Sequence, residues 1–175
     1  MKSRMMMVVV AAGVMTFVGT EGAEAQAEGT KVPVQKTQVL SANPFLLLGE
    51  WANLEYERKI STKTTMGVGG SLVTFNDGDE SYKSLVGLVR YYPQGAPLTG
   101  FYFGGRLGVH VVSDDDDEGH AYGLGVDVGY SWLLGAERDF YIGLGIGATR
   151  LFGGDMPDAR VVIPSIRLVN VGFSF

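Results

Sequence analysis

The chain contains no cysteine among its 175 residues. That excludes a disulfide framework and any structural thiolate metal site. It also removes the lipid-attachment cysteine of a bacterial lipoprotein, so no acyl anchor is available. Basic residues are not in excess: 14 Lys and Arg stand against 19 Asp and Glu, a formal net charge of −5. Nucleic acid is therefore excluded as a partner, because phosphate binding needs a basic face. Past the first residues no segment holds about 18 consecutive apolar residues, so no transmembrane helix is expected. Helical periodicity is missing as well.

The first 25 residues read as a secretory leader. Lys2 and Arg4 form a positive start, and Met5–Val18 is an apolar stretch too short to span a bilayer as a helix. Small residues at Ala23 and Ala25 suit a signal peptidase, and Ala25–Ala27 offers an alternative site. Losing residues 1–25 removes two basic and two acidic residues and leaves the net charge unchanged. The expected organisation is a signal peptide (1–25), a short periplasmic segment (26–35) and a single domain (36–175).

What fills that domain is alternation with period two. Tyr122, Leu124, Val126, Val128, Tyr130 and Trp132 alternate with Gly123, Gly125, Asp127, Gly129 and Ser131. Phe140, Ile142, Leu144, Ile146 and Ala148 repeat the pattern against Tyr141, Gly143, Gly145, Gly147 and Thr149. Phe101, Phe103, Leu107 and Val109 face away from Tyr102, Gly104, Arg106, Gly108 and His110, and Met66, Val68 and Leu72 oppose Gly67, Gly69 and Ser71. A soluble sandwich would also alternate. Here one face stays apolar and uncharged for about 10 residues, the length of a tilted membrane strand. The other face is mostly glycine with isolated charges. Glycine buries no side chain, so that face is a poor sandwich core, but it suits the narrow inside of a small barrel. A lipocalin-type soluble barrel would need an apolar lumen instead.

Strands are expected at about 50–58, 63–74, 82–92, 100–112, 121–133, 139–151 and 161–175. Single-chain bacterial barrels have even strand numbers, so an eighth is expected at about 36–47, turning at Leu48–Gly49–Glu50. Pro44 weakens that strand, since it cannot donate to a ladder and belongs at an edge or bulge. Short turns (57–62, 93–99, 134–138) alternate with more polar loops (76–82, 113–120, 153–160). Tyr56, Tyr91, Phe101, Trp132, Phe140 and Phe175 lie beside the short turns or at the terminus, as an interfacial girdle would. The fold class is thus an all-β, eight-stranded antiparallel transmembrane up-and-down barrel, just wide enough to be filled by its own side chains.

With "NPFLLLGEWANLEYERKIS" at the start, "GLVRYYP" in the middle and "VNVGFSF" at the end, residues 37–175 resemble the small eight-stranded outer-membrane proteins of bacteria, the OmpA-barrel and OmpX-like group. The resemblance implies the outer membrane of a Gram-negative bacterium, outer-membrane lipid as surroundings, and the β-barrel assembly machinery as a partner during biogenesis. It implies that Phe173 and Phe175 serve as the assembly signal. It supplies no activity, because many functions sit on this scaffold.

Facing inward, Glu55, Arg90, Arg106, His110 and Asp127 are expected to form a lumenal ion-pair network, Glu55 and Asp127 offsetting Arg90 and Arg106. Isolated buried charges are costly unless paired. Arg167 falls on the lipid face when counted back from Phe175, so a β-bulge near Asn170 is expected to turn it inward. A narrow ion path through the lumen is the alternative use of such charges. A lipid-modifying enzyme would need His110, Ser113 or His120 near the outer rim, but His110 and Ser113 are three apart and point to opposite faces of a strand. Asp114, Asp115, Asp116, Asp117 and Glu118 invite a calcium reading, yet a consecutive acidic run lacks the spacing that lets carboxylates converge. No catalytic residue, cofactor or metal is therefore assigned, and a monomeric, non-enzymatic barrel with a structural or surface-interaction role is expected.

Overall fold

The computed structural model describes residues 35–49, 51–75, 80–114, 117–155 and 162–175, with the side chains of 75, 80, 114, 117 and 165–168 excepted. The expected leader and most of the segment after it lie outside these residues. The elements are β1 (Gln38–Ala42), α1 (Pro44–Leu47), β2 (Trp51–Lys59), β3 (Thr64–Phe75), β4 (Glu80–Tyr91), β5 (Gly100–Asp114), β6 (Asp117–Leu134), β7 (Phe140–Phe152) and β8 (Val162–Ser174). Each strand pairs antiparallel with the next, and β8 pairs with β1 to close the barrel. The connections after β2, β4 and β6 share one end with both ends of the barrel chain. Those after β1, β3, β5 and β7 share the other.

The first strand departs from expectation. It ends at Ala42 rather than near residue 47, and Pro44–Leu47 forms a helical turn. The cause is local. The side-chain oxygen of Asn43 accepts from the backbone N–H groups of Phe45 (3.0 Å) and Leu46 (3.2 Å), an N-cap. Pro44 then sits at the first helical position, where its missing N–H is no loss. Propensity for a cap outweighed the apolar run "FLLL" that suggested a continuing strand. Glu57 falls both in the strand expected at 50–58 and in the turn expected at 57–62, and the structure places it in the strand. β2 runs on to Lys59, pairing Glu57 with Gly67 and Lys59 with Thr65. The reversal comes later, closed by Ile60 N–H donating to Thr64 O at 3.0 Å.

The register of β7 and β8 steps from Gly143↔Asn170 to Gly145↔Arg167. β8 therefore carries one extra residue just before Asn170, a β-bulge, and Arg167 stands opposite Gly145.

The start of β1 and the end of β8 are tied to each other. Thr37 and Gln38 N–H donate to Phe175 O at 3.1 and 3.0 Å, and Phe175 N–H donates to Gln38 O at 3.0 Å. Beside this seam the barrel end is filled by Val39, Leu98 and Tyr141, all fully buried, with Leu133 packed against them. Leu98 comes from the β4–β5 turn and has a positive φ of 70°, a conformation rare for a residue with a Cβ.

Candidate functional site

Parity along each strand decides which residues enter the lumen. In β2 the inward row is Trp51, Asn53, Glu55 and Glu57; in β4 it includes Leu88 and Arg90; in β6 it includes Asp127. The burial agrees: Glu55, Glu57, Arg90 and Asp127 are all almost wholly buried, and Arg90 is 0% exposed.

Arg90 is the hub. Its Nη1 donates to Glu55 Oε1 at 2.8 Å and to Glu57 Oε2, and its Nη2 reaches Glu55 Oε2 at 3.1 Å and Asp127 Oδ2 at 3.4 Å. The planar five-donor fork of arginine allows one cation to hold three carboxylates. Its guanidinium also lies over the Tyr102 ring, 4.7 Å from the centroid. Arg106 Nη2 donates to the same Asp127 oxygen at 3.2 Å and stands 3.8 Å from Glu55 Oε2. Glu57 takes two further hydrogen bonds, from Thr65 Oγ1 at 2.5 Å and Tyr92 Oη at 2.9 Å. Tyr102 Oη donates to Leu144 O at 3.4 Å. One polar network thus links side chains or backbone of β2, β3, β4, β5, β6 and β7.

Glu57, Tyr92, Tyr102 and Thr65 belong to this cluster and were not singled out from the sequence. Glu57 was recoverable, because it is two residues from Glu55 and shares its row. Tyr92 was recoverable too: it lies just past β4, two residues from Arg90 and on the same parity, at the end of the strand expected at 82–92.

The inward glycines make room for these side chains. A Cβ on Gly104 would lie 1.9 Å from Asp127 Oδ1, and one on Gly145 would lie 2.6 Å from Tyr102 Oη. On Gly123 it would meet His110 Nε2 at 2.4 Å. Large and small residues therefore interdigitate across neighbouring strands, as close packing of a narrow interior requires.

His110 stands apart from the Arg90 cluster. Its Nδ1 is 2.6 Å from Tyr82 Oη, and the register sets it opposite Ser84. Ser113 instead donates to Glu118 Oε2 at 3.4 Å, and its strand neighbour is Ser81. His120, near the start of β6, pairs with Asp155 just past β7 at 3.0 Å. The structure does not bring His110, Ser113 and His120 together. Asp115 and Asp116 lie outside the described residues, as do the side chains of Asp114 and Asp117. Among the described residues no three His, Cys, Asp or Glu side chains form a group able to hold a metal ion.

The outward rows are apolar. Leu85, Leu107, Leu124, Val126 and Ile146 are each at least 60% exposed, far more than a water-facing barrel leaves uncovered on every strand. Charged residues on this face, Arg58, Lys83 and Arg150, stand toward the strand ends. No helix among the described residues is long and apolar enough to cross a membrane, which does not bear on crossing by strands.

Residues 14–152 match the family model described as "Protein of unknown function (DUF3575)". A similar solved structure is the outer membrane protein Ail of Yersinia pestis in a phospholipid bilayer nanodisc. It shares 12% identity and a TM-score of 0.48 over 80% of this chain and 99% of the other. No curated protein matches the sequence.

Proposed function

We propose that this chain, which belongs to the DUF3575 family, is an integral barrel protein of a bacterial outer membrane, with a non-enzymatic structural or surface-interaction role. The observation that carries the reading is the inversion of polarity. The charges sit inside, paired, while the outward rows of β3 to β7 expose large apolar side chains. In water that arrangement would leave a continuous apolar surface around the molecule, whereas in lipid it is the low-energy one. The ladder that runs from β2 round to β8 also satisfies most of its backbone groups internally, as hydrocarbon demands.

The lumen is plugged in this reading. Arg90 and its carboxylates cross the barrel interior, and the Val39–Leu98–Tyr141 cluster fills the turn-bearing end. Neither solute passage nor catalysis is assigned. His110 has a phenol as its nearest partner, and Ser113 is committed elsewhere. The exposed loops then form the contact surface, and outer-membrane lipid is the surrounding partner.

The test is extraction and gel mobility. Membrane fractions should release the protein only with detergent, and the unheated folded form should migrate differently from the boiled form. Recovery of folded, monodisperse protein in detergent-free buffer would overturn the membrane reading. Discrete conductance steps in planar bilayers would overturn the plugged lumen and leave the location intact.

A further inference from the structure

The barrel wall is not uniform. β1 pairs with β8 only through Val171–Ser174, and with β2 only through Leu54–Arg58. Val162–Arg167 and Asn170 of β8 pair with β7 on one side and have no β1 partner on the other, and Trp51–Asn53 of β2 pair with β3 but not with β1. Among the described residues, no strand therefore fills the loop-bearing half of the seam between β8 and β2. Proline marks both borders. Pro44 ends β1, and Pro164 lies within the unpaired stretch of β8, a place a strand tolerates proline because its missing N–H faces no ladder partner.

The helical turn α1 lies beside this gap, against both β2 and β8, yet it buries none of its residues. Phe45, Leu47 and Leu48 stay exposed, Leu48 at 86%. On the other border, Trp51 occupies the inward row with Asn53 and Glu55, opposite Val73, but is 37% exposed. An inward-row tryptophan on a plugged barrel should be covered. Here it begins β2, on the border of the stretch that β1 does not cover.

We propose that this gap is a lateral lipid-binding site, which takes one glycerolipid of the surrounding bilayer. The acyl chain lies between β8 and β2 against Trp51 and the apolar side chains of α1. Ester or phosphate oxygens of the same lipid accept from N–H groups along the unpaired edge of β8. An open edge in lipid costs several kcal/mol for each unsatisfied group, and only an occupant with acceptors beside an apolar body relieves it. Water supplies the acceptors but leaves Trp51, Phe45, Leu47 and Leu48 wetted. The gap is continuous with the outward apolar rows, so lipid reaches it by sideways diffusion. The inference rests on the membrane reading above.

The chain has two tryptophans, which makes the test direct. Trp132 lies on the outward face beside Tyr130, with ring centroids 4.6 Å apart. Two single-tryptophan variants, W132F and W51F, would be folded into phosphatidylcholine vesicles with or without bromine on the acyl chains. Both tryptophans should be quenched several-fold by the brominated lipid. In an N43V/P44V background of W132F, which removes the cap and lets β1 extend over the gap, quenching of Trp51 should fall to near zero while the gel-mobility shift persists. Quenching of Trp132 without quenching of Trp51 would overturn the lipid site and leave the membrane reading standing. Trp51 quenched equally in the N43V/P44V background would also overturn it, since the lipid would then not enter through the gap. Absence of quenching at Trp132 would overturn the membrane reading itself.

Discussion

Replacing Arg90 with methionine removes the one side chain that touches Glu55, Glu57 and Asp127 at once. The three carboxylates do not lose equally. Asp127 and Glu55 keep Arg106, at 3.2 and 3.8 Å. Among the described residues Glu57 keeps only neutral donors, Thr65 and Tyr92. The unpaired buried charge therefore falls mainly on Glu57. Breaking a buried ion pair from one side costs about 3–5 kcal/mol, so R90M should lose about that much. The loss of contact with the Tyr102 ring adds roughly 0.5–2 kcal/mol. If the cause is stranded charge, E57Q in the R90M background should recover about 1–3 kcal/mol, because a neutral amide no longer needs a cation. In the wild-type background E57Q should itself destabilise. The sign of E57Q thus reverses between the two backgrounds. Urea titration of protein refolded in lipid vesicles, followed by gel mobility, measures all four corners of the cycle. An R90M loss below about 1 kcal/mol, or strict additivity with E57Q, would refute the argument that this cluster is coupled and that Arg90 compensates it.

Deleting Phe175 should leave folding into detergent micelles in vitro nearly intact, because its ring is half exposed, while surface delivery in cells should fail; normal outer-membrane levels of the deletion would show that the terminal residue is not an assembly signal. Gly129→Ala should destabilise by about 1–3 kcal/mol through overpacking, since its Cβ would lie 2.2 Å from Leu144 O and 2.4 Å from Tyr102 Oη. Gly105→Ala, where a Cβ meets nothing within 4 Å, should be close to neutral by the same titration. Equal effects at the two glycines would mean that interior packing does not set the glycine pattern.

Much of the fold was legible because the barrel has a period the chain cannot hide. Once one face of each strand is apolar, parity sorts every residue to one side, and seven strands follow to within a few positions. The same parity assigns Glu55, Arg90, Arg106, His110 and Asp127 to an inward row shared with many of the glycines. Three things were decided only in three dimensions. The end of β1 turned on competition between an apolar run and the Asn43 cap, where the short-range hydrogen bonds prevailed. The partners of each inward charge depended on register between strands distant in sequence, which is why Glu57 joined Arg90 and why His110 met Tyr82 instead of a carboxylate. The missing strand above Ala42 is a property of the closed seam between β1 and β8. Alternation is a local property of one strand, so the sequence alone determined sidedness. The ion pairs join residues tens of positions apart on different strands, and closure joins residues more than a hundred apart, so only the tertiary structure could decide which charges meet and where the wall is left open.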